Sequence, residues 1–456
     1  MRNINIGEVC CAVEGELSRC GYEENIISSI TTDSRKIEEG CLFIPLTGDR
    51  FDGHDFIKQA FEKGAQCCLS QKPVETDKTV IYVKDTKKAL LDMARYYRGL
   101  FDLKVCAVTG SVGKTTTKDM IASVLEQKYS TLKTYGNFNN EIGLPLTIFN
   151  IEDSHEAAVL EMGMNSFGEI SRLTSVGKPD VAVITNVGVS HIENLGSREG
   201  ILKAKCEIFE GLSENGTAVL NADNDMLSTL KGKERFNTIW FGIEDKSGFY
   251  ADNIEEMGIE GVRCTIHAGN DVFDVFIGVP GRHMVLNALA AAAVGKAFGL
   301  NANEIKKGIE NFKPTGMRME VSTVPFGFTL INDSYNANPV SAKAAVDVLS
   351  KSGGIKTAVL GDMLELGDFA ASLHYDVGKY TAQKGIDNIV CIGDISINMY
   401  DGARSVKTEG VYYFSTLDEF LQSGLDKILI KNSTVLIKAS HSMAFEKIAV
   451  RLRGVK

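Results

Sequence analysis

The sequence predicts an α/β protein built from three units, and three observations predict it. Short apolar runs alternate with helical patterns along most of the chain, as they do where strands and crossover helices build parallel sheets. A glycine-rich stretch joins one such run directly to a helix-like segment. The chain has 456 residues, which at ~150 residues per domain corresponds to about three domains.

The first unit, residues 1–98, shows apolar runs at Cys41–Leu46, Gln66–Leu69 and Thr79–Val83 with a helical stretch at Asp55–Lys63, a small α/β arrangement. A helix over Thr86–Arg98 leads out of it. The central unit, 99–312, carries strand signals at Val105–Val108, Ala157–Leu160, Val181–Thr185, Thr217–Leu220 and Thr238–Phe241, the texture of a doubly wound, mainly parallel sheet. From about Gly248 to Val279 the runs suggest a small antiparallel piece, and an Ala-rich helix follows over Asn287–Phe298. The third unit, 313–456, alternates again: strands at Thr329–Ile331, Thr357–Leu360, Asn388–Ile392 and Val435–Lys438, helices at Ser341–Leu349, Leu373–Ala382 and Leu417–Leu421.

Composition narrows the function classes. Hydrophobic residues make up 44% and charged residues 24% of the chain, proportions of an ordinary globular protein rather than a disordered or fibrous one. The formal net charge of −10 disfavours nucleic acid and anionic membrane surfaces as partners. Any anionic ligand must then be held by local cations and backbone amides. The start, Met1–Glu8, has no apolar signal core, and no later run approaches the ~20 apolar residues that span a bilayer. The expectation is a cytoplasmic protein without membrane insertion. Ten cysteines without a C-x-x-C pair, most of them in apolar runs, read as reduced core thiols.

The chemistry centres on Thr109-Gly110-Ser111-Val112-Gly113-Lys114-Thr115-Thr116, after the run Val105–Val108 and before a helical segment expected over Lys118–Lys128. Glycines let such a loop turn its backbone N–H groups toward phosphate oxygens, the helix N-terminus adds its positive dipole end, and Lys114 supplies a mobile cation. Thr115 is placed to hold Mg²⁺ through its hydroxyl. The usual spacing would put a glycine at Val108, and here Gly110 stands two places later.

Other strand ends carry further candidates. Glu161 closes the run Ala157–Leu160, where a nucleotide-binding sheet needs a second metal contact; the alternative is a glutamate facing water. His191 follows the run Val181–Thr185, as a metal ligand or as a hydrogen-bonded structural residue. Lys205, expected at the head of a helix, is either part of a solvated basic turn or a lysine made neutral by burial and able to add CO₂ as a carbamate ligand. Asp333 and Arg318 are candidates for ribose and phosphate contacts, against a surface ion pair and an Asx-turn before Pro339. The loops Thr32–Arg35 and Gly48–Phe56 are equally suited to gripping a nucleotide or sugar and to capping a turn.

Together these motifs resemble the Mur ligase family, ATP-dependent amino-acid ligases of peptidoglycan assembly, nearly end to end. The stretch Thr109–Thr115 is that family's form of the phosphate loop, and folylpolyglutamate synthases have a similar one. Gly136–Pro145, Glu161–Asn165 and Asp333–Pro339 are similar to the members that append D-alanyl-D-alanine to a UDP-N-acetylmuramoyl tripeptide. The resemblance implies ATP contacts at Thr109–Thr116, Asn287, Arg318 and Asp333. It implies metal ligands at Thr115, Glu161, His191 and Lys205, with a carbamate on Lys205 and one or two Mg²⁺ ions. The catalytic set is then Lys114, Glu161, His191 and Lys205, and the acceptor side is Ser34, Arg35, Gly48, Phe51, Asn137, Asn139, Asn140 and Asn336. It further implies a UDP-substrate domain, a central ATP-binding domain and a C-terminal Rossmann-like domain in a monomer. Two positions depart from the family pattern: Met284 stands where Asn is frequent and His441 where Arg is usual. Against a ligase stand a nucleotide-hydrolysing switch, for which no Asn-Lys-x-Asp guanine motif is found, and a non-catalytic UDP-sugar binder, which would not need the Lys114, Thr115, Glu161 and His191 set.

Overall fold

The computed structural model describes residues 1–48, 51–233, 235–324, 327–424 and 432–454; Asp49 and Arg50 of the Gly48–Phe56 loop lie outside them. Two compact units emerge. One comprises residues 1–109, 129–183 and 205–218, the other 110–128, 184–204 and 219–456.

In the first unit a five-stranded sheet runs in the order Glu16–Leu17, Thr79–Tyr82, Cys67–Ser70, Cys41–Phe43, Ser29–Thr31. All its pairs are parallel except the first. Cys41, Phe43, Cys68, Ile57, Ala60 and Ala65 form its core, where burial pushes the neighbouring Cys67 thiol up to about 12. Six of the ten cysteines are buried and all ten are free thiols, as the apolar settings predict. Helix Thr86–Gly99 starts where Asp85 accepts from the amides of Lys87 and Lys88. The same unit contains residues 181–183 of strand Val181–Ile184, followed by the neighbouring strands Lys104–Thr109, Ala157–Glu161 and Thr131–Lys133, in that order. Val105–Val108 and Ala157–Leu160 are fully buried, because a parallel sheet is covered on both faces and each strand becomes a continuous apolar run.

In the second unit, residues 219–221 of strand Thr217–Asn221 and the strands Asn237–Gly242, Phe249–Glu256, Val262–Ala268 and Asp271–Ile277 are consecutive neighbours. The last two pairings are antiparallel, as the change of texture after Gly248 predicts. A six-stranded sheet follows: Glu320–Thr323, Thr329–Asn332, Ser433–Lys438, Ile355–Gly361, Asn388–Ile392, Val411–Phe414. Only its first pair is antiparallel. Phe328, Val359, Val390, Phe420, Val435, Phe445 and Ile448 are among its core residues.

Some element ends differ from expectation. The helix after the glycine loop is Lys114–Leu125, beginning four residues early because Gly113 caps it with φ +82, a left-handed conformation that costs glycine little. Helix Arg198–Cys206 places Lys205 in its last turn rather than at its head. The helix Ile6–Ala12, closed by a reciprocal Asn5–Glu8 capping box, has no counterpart in the sequence reading, and neither do strands Glu320–Thr323 and Val411–Phe414.

His374 lies fully buried in helix Ala370–Gln383. Its Nδ1 is 2.7 Å from the Ala370 carbonyl, and its Nε2 is 2.9 Å from the Met363 amide. An amide only donates, so Nε2 is bare and the ring is the neutral Nδ1–H tautomer. Burial holds its pKa below the ordinary value, against the opposing pull of the Ala370 bond and Asp362. The unfolded chain therefore takes up a proton first as pH falls. This stabilising contribution is full above ~6.5 and is lost toward the lower folded value, at no more than ~1.4 kcal/mol per pH unit. The denaturation midpoint should fall on acidification from about pH 7.5 to 5, and less steeply in His374→Gln. Equal slopes in the two proteins would remove His374 from this account.

Candidate active site

The glycine loop takes its shape from the segment after strand Val181–Ile184. Asn186 accepts twice, from the Val112 amide on Oδ1 at 2.9 Å and from the Ser111 amide on its carbonyl at 3.1 Å. Thr185 Oγ1 donates to the Val112 carbonyl at 2.7 Å, and the Gly188 amide donates to Ser111 Oγ at 2.9 Å. Gly110 sits at φ +154, and a Cβ there would lie 1.9 Å from Thr185 Oγ1, so the shifted glycine of this loop is a requirement of close approach. Lys114 Nζ folds back on the Gly110 carbonyl at 2.8 Å. With Gly113 as cap, the amides that open the helix lack acceptors within it and form an anion-binding end. Thr116 is half-buried beside them.

Around the first helical turn, Thr117 Oγ1 donates to Asn287 Oδ1 at 3.0 Å, and Asn287 Nδ2 rests on Met284 Sδ at 3.5 Å. Met284, one of the two unusual positions, thus packs on the candidate ATP contact. Arg318 Nη2 donates to Thr115 Oγ1 at 2.9 Å while its guanidinium stacks 4.1 Å over the Tyr335 ring. A surface ion pair is therefore excluded for Arg318. Met317 and Met319 on either side have φ +64 and +48, a conformation that costs non-glycine residues energy and persists where the surroundings hold it. Asp333 Oδ1 accepts from the Met319 amide at 3.1 Å, and its Oδ2 pairs with Lys438 Nζ at 2.5 Å. Lys438, 2% exposed in its side chain, also donates to the Asn336 carbonyl at 3.0 Å. Asn338 caps helix Pro339–Ser350, so the turn before Pro339 is a helix start. The second unusual position, His441, faces Tyr335 with ring centroids 5.3 Å apart.

His191 stands at φ +63 and Glu365 at φ +62, with His191 Nδ1 3.2 Å from Glu365 Oε2. The bond from His191 holds the Glu365 carboxyl below its usual range, against partial burial. This pairing commits Nδ1 and fixes the ring direction, as carboxylate partners do for metal-binding histidines.

In the first unit Glu161 pairs in register with Val108, one residue before Thr109, whose side chain is buried. Glu161 is 1% exposed, which overturns the water-facing alternative. Asn139 Nδ2 donates to its Oε1 at 2.8 Å, and its buried Oε2 has no hydrogen-bond partner among the described residues. A buried carboxylate oxygen without a donor is costly unless a cation or ligand group completes it. Asn140 Oδ1 accepts from the Ile142 and Gly143 amides, so that side chain starts helix Gly143–Ile148, and the Asn137 carbonyl accepts from the Asn139 amide at 2.7 Å. Lys205 is 2% exposed, which disposes of the solvated basic turn. Farther toward the N-terminus, Arg35 is 86% exposed and forks onto Asp33; those bonds hold the Asp33 carboxyl at about 2. The Ser34 carbonyl accepts from Lys63 at 2.8 Å, the Gly48 amide bonds to the Phe51 carbonyl at 2.9 Å, and Phe51 is 64% exposed.

The structure thus brings Asn139 to Glu161, Arg318 to Thr115, Thr117 to Asn287, and Asn336 to Asp333 through Lys438. Among the described residues, no three or more His, Cys, Asp or Glu side chains gather into a metal cage. Thr117, Thr185, Asn186, Tyr335, Glu365 and Lys438 were not singled out from sequence. Of these, Thr117, Asn186 and Tyr335, in or beside recognised motifs, carried a signal there.

A glycine loop that opens a helix at the end of a parallel strand, with a lysine and a threonine at the helix start, defines a nucleotide-binding α/β protein of the P-loop type. Three family descriptions match in chain order: "Mur ligase family, catalytic domain" over residues 26–98, "Mur ligase middle domain" over 108–295, and "Mur ligase, glutamate ligase domain" over 317–441. The chain belongs to the Mur ligase family. It is 40% identical to the UDP-N-acetylmuramoyl-tripeptide–D-alanyl-D-alanine ligase of Bacillus subtilis, over 97% of this chain and 96% of that protein. Crystal structure I of MurF from Acinetobacter baumannii superposes with a TM-score of 0.93 at 31% identity, covering 100% of this chain and 99% of that one. MurF ligase from Thermotoga maritima in complex with ADP gives 0.83 at 30% identity, over 94% and 97% of the two chains.

Thr117→Val keeps the shape of the side chain but leaves the buried Asn287 Oδ1 without its donor, a loss of roughly 1–3 kcal/mol. That loss falls on stability; nucleotide affinity measured by calorimetry should also fall, because Asn287 is no longer held in place, while far-ultraviolet circular dichroism stays as in the parent. Undiminished affinity would detach Asn287 from nucleotide binding.

Proposed function

We propose that this chain is an ATP-dependent ligase joining D-alanyl-D-alanine to UDP-N-acetylmuramoyl-tripeptide, giving the UDP-linked pentapeptide, ADP and phosphate. The observation that supports this reading is likeness along almost the whole chain to ligases of that name. The acceptor carboxylate attacks the γ-phosphorus of ATP and ADP leaves; the dipeptide amine then attacks the acyl phosphate carbonyl and expels phosphate. Helix-opening amides and Lys114 receive the phosphates, Asn287 and Arg318 contact the nucleotide, and Asp333 the ribose. Ser34, Arg35, Gly48, Phe51, Asn137, Asn139, Asn140 and Asn336 form the acceptor side. Most of the catalysis is positioning and charge stabilisation of a loose transferring phosphoryl group.

The residues fit Mg²⁺. Glu161 offers a buried carboxylate oxygen without a protein donor, and Mg²⁺ is commonly held by one or two carboxylates plus substrate phosphates. Thr115, Glu161, His191 and a carbamylated Lys205 would hold it, and when bound it neutralises developing phosphate charge. The domain limits we assign are 1–98, 99–312 and 313–456. No helix of the described residues is long and apolar enough to cross a membrane, and we assign a monomeric, cytoplasmic enzyme.

Phosphate release measured with ATP, UDP-linked tripeptide and D-alanyl-D-alanine, omitting each in turn, tests the reading. Release should require all three, and release independent of the dipeptide would sink it. Activity should collapse in Lys205→Ala and return in part with acetate or formate, short carboxylates that replace the carbamate charge, but not with chloride at equal ionic strength. Parent-like activity without any additive would take Lys205 out of the site.

A further inference from the structure

Glu141 has no part in the assignments above, yet it is a charged residue whose side chain is only 11% exposed. It stands two residues after Asn139, on the loop that carries the acceptor-side asparagines. Its two carboxylate oxygens go to two different helices: Oε1 to Arg172 Nε on helix Glu169–Gly177, Oε2 to Lys87 Nζ on helix Thr86–Gly99. Both cations are about half exposed, at 49% and 53%. Burial pushes the Glu141 carboxyl up, but the two cations outweigh it and hold the group below its usual value. The carboxylate is therefore the fixed, ionised centre of a three-element tie, and the long cationic stems reach in to it.

The opposite side of the same loop is pinned to the strand end. The Asn139 carbonyl accepts from the Gly163 amide at 2.8 Å, and Asn139 Nδ2 donates to Glu161 Oε1 at 2.8 Å. Between the two attachments Asn140 spends its side chain on the helix start. Few loop side chains remain to resist displacement, and the Glu141 tie supplies that resistance. If it slackens, Asn139 loses its register on Glu161, and the Glu161 oxygen that has no protein donor turns with it. A displacement of ~1 Å in such a group is costly, because hydrogen bonds weaken steeply off their geometry.

We propose that Glu141 is a positioning residue for the acceptor: bound to Lys87 and Arg172, it locks the loop 135–142 so that Asn139 and Glu161 meet the UDP-linked peptide in one arrangement. This rests on the acceptor reading of Asn139 and adds the groups that hold Asn139 in place.

The test is steady-state kinetics of the full-length protein, with KM taken separately for UDP-linked tripeptide and for ATP, on Glu141→Gln, Arg172→Gln, the double variant and Asn139→Ala. Glu141→Gln should raise the acceptor KM about tenfold, equivalent to ~1.4 kcal/mol, with the ATP KM within about twofold. Arg172→Gln, altering a half-exposed partner, keeps the test open should Glu141→Gln fold poorly, and should shift the acceptor KM in the same direction by less. The double variant should be no worse than Glu141→Gln, since members of one network do not add. Parallel rises in both KM values together with a lowered melting temperature would reduce Glu141 to a stabilising contact and overturn the proposal. A raised acceptor KM in Asn139→Ala with parent values in both Glu141→Gln and Arg172→Gln would overturn it while leaving the acceptor reading intact. A parent acceptor KM in Asn139→Ala would remove that reading and the proposal with it.

Discussion

A phosphate loop works only if its backbone is held before the anion arrives, since every amide that must swing into place raises the cost of binding. Here the holding is done by two residues beyond the motif. Asn186 satisfies two consecutive loop amides and Thr185 the carbonyl between them and the glycine cap. The loop is thereby closed against the end of strand Val181–Ile184, and the donors left for a ligand are those at the helix opening. Gly110 is a consequence of this closure, because its backbone passes where any side chain would meet Thr185.

The same economy appears among the buried charges. A charged group taken out of water is tolerable when paired and further hydrogen-bonded, and Lys438 meets both terms through Asp333 and the Asn336 carbonyl. Glu141 does the same with two cations. Glu161 is only half satisfied, with one oxygen taken by Asn139 and the other without a hydrogen-bond partner among the described residues. Arg318 is a different compromise: it reaches Thr115 from a backbone held left-handed on both sides and stacks on Tyr335, a strained but well-supported placement of a permanent cation beside the helix start.

The alternation of apolar runs with helical patterns, the glycine loop with its lysine and threonine, and the terminal carboxylate of Ala157–Glu161 were all legible along the chain. Each is a local property: a buried parallel strand must be apolar throughout, and a tight anion-binding loop must carry glycine. Short or edge elements such as Glu320–Thr323 and Val411–Phe414 were not legible, because so few residues carry no clear period. The start of the helix at Lys114 was missed for a similar reason, since a polar Lys-Thr-Thr-Thr turn is indistinguishable from loop until its cap is known.

By itself, then, the sequence determined which residue types could do the chemistry and on which strand ends or loops they stood. Whether Glu161 faced water, whether Lys205 was solvated and whether Arg318 was a surface ion pair could be decided only by the tertiary structure. Burial and partner choice depend on what packs from distant parts of the chain. The Asn139 amide on Glu161, the Thr115 hydroxyl under Arg318 and the Asn287 carbonyl above Thr117 join residues 22, 203 and 170 positions apart, and no local period encodes a hydrogen bond across such a span.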